Sequence, residues 1–273
     1  MAEYDDIIKL VRQRKELQFL SRSFITEHVA EQLRLDKKIR SNYDAGKEAT
    51  KKQLVKFVRE KARKIYGVFQ ISELIGKRKA LLEETKLGDE AIQTILSSHV
   101  STNERSPYYQ QFFDAVFALT GKPESVLDIA CGLNPVAFYE YTKLTTVRYV
   151  ANELSPKDAA QLDSFFELNN VPGTAIGFNA VSDLDKYPKD SFDMCFLLKA
   201  LDTLERQKRY ITYDILDKID AQYIVATFPR SNVKGVKNHR GDEIMWFEKM
   251  LARAELQFHR ILFPSEVCYI CFK

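Results

Sequence analysis

Apolar positions in the first third of the chain recur at three- and four-residue spacing. Ile7, Ile8, Val11, Leu17 and Leu20 follow that rhythm, and so do Leu54, Phe57, Val58, Ile65 and Phe69. Such spacing predicts helices that each bury one face. No proline occurs before Pro107, and glycine is limited here to Gly46, Gly67, Gly76 and Gly88. Gly67 and Gly76 are expected at helix ends, and Gly88-Asp89 at a helix start. From about residue 121 the rhythm changes. Short apolar runs at 125–130, 147–151, 174–178, 192–198 and 223–228 read as strands, with helical stretches such as 158–168 and 204–219 between them. The alternation predicts a parallel sheet with helices on both faces. Two last runs, 255–263 and 266–272, meet at Pro264-Ser265 and predict an antiparallel hairpin that closes the sheet.

The expected fold class is therefore α/β, a mostly parallel sheet with an antiparallel last strand, preceded by a helical domain. The domains are read as 1–98 and 99–273. At 273 residues and 45% apolar composition the chain has enough material for both cores. Its longest apolar runs are strand-sized, so no membrane span is expected. The acidic start Met1-Ala2-Glu3-Tyr4-Asp5-Asp6 does not resemble a signal peptide, and a cytoplasmic location is expected. The four cysteines are Cys131, Cys195, Cys268 and Cys271. Cys268 and Cys271 have C-x-x-C spacing, but no second pair or nearby histidine accompanies them, so they read as buried thiols and no metal is expected.

The net charge of +3 hides an asymmetry. Residues 1–98 carry 21 Lys and Arg against 15 Asp and Glu, whereas residues 99–273 carry 20 against 23. The block 34–64 alone holds 12 basic and 4 acidic residues, a candidate phosphate-facing surface or a solvated helix face.

The segment Ser125-Val126-Leu127-Asp128-Ile129-Ala130-Cys131-Gly132-Leu133-Asn134-Pro135 concentrates the candidate chemistry. An apolar strand ends at an acid, and a glycine follows where a backbone can approach a ligand closely. There is neither a G-x-G-x-x-G nor a G-x-x-x-x-G-K-[ST] string, so a loop that wraps a pyrophosphate or cradles a triphosphate is disfavoured. A loop freed from that task suits S-adenosylmethionine (SAM). Asp128 can hold the methionine amino group through water or backbone, or it can stabilise the loop. Glu153, 25 residues further on, can accept hydrogen bonds from both ribose hydroxyls, or simply open a surface helix. Asn179 or Asp183 can read the adenine edge. In His99-Val100-Ser101-Thr102-Asn103-Glu104-Arg105, Ser101 or Thr102 can cap a helix, and Arg105 can pair bidentately with a carboxylate.

A mostly parallel sheet with a reversed last strand is the arrangement of Rossmann-like, class I SAM-dependent methyltransferases. Three strings sharpen this: His99–Arg105, Val126–Pro135 and Leu197-Leu198-Lys199-Ala200-Leu201-Asp202-Thr203-Leu204-Glu205. Together they resemble the aminoglycoside-resistance 16S ribosomal RNA (guanine-N7) methyltransferases over about residues 95–273. Thr227-Phe228-Pro229-Arg230-Ser231 and the closing Tyr269-Ile270-Cys271-Phe272-Lys273 extend the resemblance. It implies methyl transfer from SAM to N7 of a guanine in the decoding A-site of the assembled small ribosomal subunit. It also implies that the basic helical domain docks on 16S rRNA. The cofactor site is then expected to comprise His99, Arg105, Asp128, Ala130, Gly132, Glu153, Leu154, Asn179, Ala180 and Leu198. Lys199 and Arg230 are expected on the target-base side, as catalytic residues.

Three features depart from the family pattern. The second-strand acid is Glu153 where Asp is usual, Pro229-Arg230 lacks an intervening Thr, and Lys237-Asn238-His239 replaces a Lys-Gly-Met. Lys234, Lys237 and Arg240 join Arg230 as candidate phosphate ligands in that loop, and His239 stands there without a second metal ligand. Tyr108, Tyr109 and Trp246 are candidate platforms for an unstacked base, or packing residues. The chain lacks the [ND]-P-P-[YF] string that serves exocyclic amines, whereas guanine N7 bears a lone pair and no proton and needs no general base. Two other functions fit these residues: a methyltransferase for another RNA position, and a SAM-fold RNA-binding or ribosome-assembly factor without turnover. A monomer is expected.

Overall fold

The computed structural model describes residues 4–84, 87–230 and 243–273. Helices α1 (Asp5–Arg12), α2 (Arg22–Leu35), α3 (Lys37–Asp44) and α4 (Glu48–Ile65) build the N-terminal layer. Ser21 caps α2 by accepting from Phe24 N at 3.1 Å, and Asp36 caps α3 by accepting from Lys38 N and Ile39 N at 2.9 Å. The apolar face of each helix closes on one core, from Ile7 and Val11 through Phe24, Val29, Leu54 and Val58 to Tyr66. On the outer side, Arg34, Lys37, Lys38, Lys52, Lys56 and Lys64 are exposed.

That core ends at Tyr66. The next helices, α5 (Ile75–Leu82) and α6 (Asp89–Ser97), send Leu82, Ile92, Ile95 and Leu96 into the core on one face of the sheet. Residues 1–98 thus divide their apolar surface between two cores. Gly88 does precede a helix, and Gly67 follows the end of α4. Helix α7 (Val100–Arg105) begins after His99, so Ser101 and Thr102 lie inside it rather than capping it. The Thr102 hydroxyl donates instead to Leu96 O at 2.6 Å and His99 O at 3.0 Å.

Helix α8 (Tyr109–Thr120) leads into the sheet: β1 (Ser125–Ile129), α9 (Asn134–Thr142), β2 (Arg148–Glu153), α10 (Pro156–Leu168), β3 (Gly173–Gly177), β4 (Phe192–Leu198), α11 (Leu201–Gln207), α12 (Ile211–Lys218), β5 (Ala221–Pro229), α13 (Met245–Arg253), β6 (Gln257–Leu262) and β7 (Glu266–Phe272). Among the described residues the strands order as β3-β2-β1-β4-β5-β7-β6. The pairs from β3 to β5 are parallel, and β7 runs antiparallel between β5 and β6. The sheet and its reversed closing strand match the expectation, with strand ends shifted by a residue or two. Side chains alternate between two apolar layers: Phe196 and Leu198 join one, Cys195 and Leu197 the other. Cys268 and Cys271 likewise sit in opposite layers, so they share no site.

The single helix expected over 204–219 is two helices. The Glu205 carboxylate accepts from Tyr210 N at 2.7 Å and from Thr212 N at 2.9 Å, pinning a turn with Tyr210 at φ +67°. No helix among the described residues is long and apolar enough to cross a membrane.

Candidate cofactor and active site

The strand order reverses between β1 and β4, and a cavity opens at their carboxyl ends, as the topology requires. Ala130, Cys131, Asn152, Glu153, Leu154, Asn179, Ala180, Leu198 and Lys199 line it from the strand ends. His99 and Arg105 close one side, and Ile65, Tyr66, Phe69 and Gln70 wall it from the end of α4. Its clear space is about 80 Å³, against roughly 300–1,000 Å³ for typical ligand sites. A ligand of nucleoside size therefore displaces side chains as it enters.

The backbone at this end of the sheet is held in unusual conformations. Ala130, Gly132 and Lys199 have φ of +53°, +56° and +55°. Glycine suits such a position; alanine and lysine adopt it at a cost that surrounding contacts must cover. For Lys199 the contact is its N–H, which donates to Thr227 O and Thr227 Oγ1, each at 3.0 Å. For Ala130 it is Asn152, whose Oδ1 accepts from Ala130 N at 3.2 Å while Nδ2 donates to Phe178 O at 3.0 Å. Asn152 thus ties the ends of β1 and β3 across β2.

Gly132 does not line this cavity, although Ala130 and Cys131 of its loop do, and it has two independent constraints. Its N–H donates to Glu153 Oε1 at 2.7 Å, and a Cβ there would stand 2.9 Å from His99 Cε1. The Glu153 Oε2 accepts from Leu154 N at 3.0 Å. Burial, with Asp158 nearby, raises the Glu153 pKa to about 7 despite these bonds. His99 is half-buried, its ring stacked on Phe69 at 5.8 Å and its buried Nδ1 without a partner among the described residues. Burial and the neighbouring Arg78, Arg105 and Lys199 hold His99 down at about 3, so its ring is neutral.

Asp128 does not line the cavity. Its Oδ2 accepts from Tyr149 OH at 2.6 Å and Asn134 Nδ2 at 2.9 Å, while Oδ1 is buried without a partner among the described residues. Burial raises its pKa to about 7. These contacts support the loop-stabilising alternative for Asp128.

Arg105 is 1% exposed and forms a bidentate pair with Glu266, Nε to Oε1 at 2.5 Å and Nη2 to Oε2 at 2.7 Å. Its Nη1 reaches Tyr109 OH at 3.3 Å. Burial alone would raise Glu266, but the Arg105 guanidinium outweighs it and holds the carboxylate at about 2. The cluster continues outward. Tyr108 OH lies 2.5 Å from Ser265 Oγ, and Lys199 Nζ donates to Ser265 Oγ at 3.1 Å and Glu104 Oε2 at 2.6 Å. Glu266, Glu104, Ser265 and Asn152 escaped the sequence reading. Glu266 carries a faint signal, an acid at the head of a fully apolar run; Ser265 and Glu104 carry none.

Asn179 lines the cavity and Asp183 does not. Asp183 accepts from Asn179 N at 3.2 Å and pairs with Lys186 at 3.0 Å. Arg230 follows the end of β5, with its N donating to Ser265 O at 3.1 Å and its guanidinium to Phe263 O at 3.3 Å; it is not a lining residue. Ser265 is therefore the common neighbour of Lys199 and Arg230. Tyr109 is core, and Tyr108 belongs to the Glu266 cluster; of the three candidate platforms only Trp246 is exposed. Lys234, Lys237, His239 and Arg240 lie outside the described residues.

The helical layer is bolted to this site. Tyr66 OH donates to Asp158 Oδ2, and Arg78 Nη2 meets Asp158 Oδ1 at 3.0 Å, all three side chains being buried.

A family model described as ribosomal RNA methyltransferase (FmrO) matches residues 45–269. The 16S rRNA (guanine(1405)-N(7))-methyltransferase of Frankia casuarinae is 30% identical over 181 residues, covering 66% of this chain and 63% of that protein. The protein of the same name from Micromonospora rosea is 28% identical over 193 residues, 68% of each chain. The crystal structure of 16S rRNA methyltransferase RmtF in complex with S-adenosyl-L-homocysteine has the same fold, with a TM-score of 0.78, 22% identity and coverage of 100% of this chain and 99% of that one.

Proposed function

The chain belongs to the ribosomal RNA methyltransferase (FmrO) family, and from that membership we propose that it methylates N7 of a guanine in the decoding A-site of 16S rRNA. The methyl donor is SAM, the substrate is the assembled small subunit, and the consequence is aminoglycoside resistance. One observation carries this reading. The family match at 45–269 contains every residue that lines the cavity, including its wall from the end of α4.

The donor set suits SAM. A carboxylate offers about four lone-pair positions, and Glu153 spends two on Gly132 N and Leu154 N. The remainder accept from ribose hydroxyls. Asn179 presents an amide to an adenine edge. Arg105 Nη1 gives one N–H to Tyr109 OH at 3.3 Å and has a second to donate to the methionine carboxylate. Asp128 acts indirectly, through Asn134 and Tyr149, on the loop that ends at Gly132.

Bound SAM supplies a sulfonium methyl group. Guanine N7 is already nucleophilic, so this chain's task is alignment rather than proton removal. Lys199 lines the cavity with its side chain buried, held by Glu104 and Ser265. Exchange of the Glu104 contact for a guanine O6 contact orients the base. Arg230, beside Ser265, meets the RNA backbone. The basic outer surface of α2–α4 supplies sequence-independent affinity, and Tyr66 and Arg78 transmit its position to the cavity. We place the limit of this docking layer near Tyr66, where its core closes.

The test is transfer of labelled methyl from SAM to purified small subunits, with deproteinised 16S rRNA and large subunits as controls. Label restricted to intact small subunits is expected. SAM binding without transfer to any RNA would favour an assembly factor lacking turnover.

A further inference from the structure

A second concave surface lies one helix away from the cofactor cavity. Helix α11 separates the two: Thr203, Leu204 and Gln207 face the cavity, and Asp202, Glu205 and Arg206 face a groove of about 470 Å³. The start of α12 and the helix α13 form its other walls. Four cations line it, Arg206, Arg209, Lys249 and Arg253, against two carboxylates. Glu205 is already committed to the backbone of Tyr210 and Thr212. Among the described residues none of the four cations has a carboxylate partner, and Arg209 lies only over the Tyr210 ring, at 4.7 Å.

Two aromatic side chains interleave with this charge. Tyr210 is 57% exposed and sits in the left-handed backbone region at φ +67°. A bulky residue is a rare occupant of that region, and an exposed one gains no burial to offset the strain; such outliers gather at functional positions. Trp246 is 36% exposed and is fixed by perpendicular ring contacts to Phe228 and Phe247, each at 5.6 Å. Cations spaced along a groove, with rigid exposed rings between them, are what single-stranded nucleic acid requires. Phosphates meet the cations, and unpaired bases stack on the rings without regard to sequence.

We propose that the Arg206–Tyr210–Trp246–Arg253 groove binds an unpaired RNA segment, stacking its bases on Tyr210 and Trp246. The RNA class rests on the proposed function, but the groove is tested by binding alone, so the two fail separately. A short single-stranded RNA and its duplex are titrated against the full chain by fluorescence anisotropy over a range of salt. Arg206→Glu/Arg253→Glu should weaken single-strand binding at least tenfold and flatten the salt slope by about 1–2. Trp246→Ala should weaken it about tenfold with an unchanged slope, and Trp246→Phe should restore most of it. SAM affinity should stay at the wild-type value in every variant; the thermal midpoint should stay there in the charge variant and fall in Trp246→Ala, which loses its packing on Phe228 and Phe247. Single-strand affinity and salt slope unchanged in the charge variant would overturn the proposal, as would equal losses for single strand and duplex in Trp246→Ala. Small subunits left unmethylated would defeat the functional reading and leave the groove standing on its binding data.

Discussion

Glu266 stands on β7, 161 residues from the Arg105 it neutralises. Both side chains are essentially inaccessible, at 0% and 1% exposure. Removing one partner of such a pair strands the other charge in the interior, at a cost of about 3–5 kcal/mol. Glu266→Ala should therefore lower the thermal midpoint by about 10 °C, at roughly 2–4 °C per kcal/mol for a chain of this size. Replacing both partners, as Arg105→Met/Glu266→Leu, removes the charge and its counterion together. The double variant should recover most of the lost stability, and it can match wild type. It should nevertheless fail to bind SAM, because the guanidinium that meets the methionine carboxylate is gone. Urea unfolding and SAM calorimetry on the three proteins separate these effects. A double variant that is as unstable as Glu266→Ala would refute the buried-charge argument. A stable double variant that binds SAM as tightly as wild type would refute the cofactor role of Arg105.

Gly132→Ala places a methyl group against His99 in a left-handed backbone; strain and overpacking together should cost about 2–4 kcal/mol, read by urea unfolding, and an unchanged midpoint would contradict the close approach. Glu153 and Asp128, both raised to about 7, favour the folded state in their protonated forms. Stability without cofactor should thus fall as pH rises from about 4 to 7, with roughly 2–3 kcal/mol of the loss from the two groups together between pH 6 and pH 8. His99, held at about 3, acts in the opposite sense below about pH 6.5. Ribose hydroxyls favour the Glu153 carboxylate, so SAM affinity should rise with pH up to about 7 and then level off, with proton release detectable in buffers of different ionisation enthalpy. Lys199→Gly keeps the left-handed backbone and removes the cation. It should fold as wild type yet lower methyl-transfer kcat at least tenfold, about 1.4 kcal/mol, and full activity would remove Lys199 from the mechanism.

Much of the sheet was legible because interior strands buried on both faces leave long apolar runs, and 192–198 and 266–272 fell where the runs placed them. The break between α11 and α12 was not. No glycine or proline marks it, and it depends on Glu205 gripping a tyrosine in a conformation that tyrosine rarely adopts. At the site, the loop through Gly132 and the acid at Glu153 were visible because chain order puts both at strand ends. The choice between Asn179 and Asp183 required the turn that lends Asp183 to Lys186. Long-range partnerships left almost no local trace: Arg105 with Glu266, Lys199 with Glu104, and Tyr66 with Asp158 join segments whose spacing carries no information about one another. The division of apolar surface at Tyr66 was equally hidden, since α5 and α6 have the same periodicity whichever core they join.

The central claim is the atom that receives the methyl group. Small subunits incubated with this protein and SAM should be cleaved by borohydride and aniline, a treatment selective for N7-methylguanine, and mapped by primer extension. One new stop in the decoding A-site, absent without SAM and absent with Lys199→Gly, is the predicted result. Methylation confined to any other atom or region of the RNA, or none in subunits that bind the SAM-loaded protein, would contradict it.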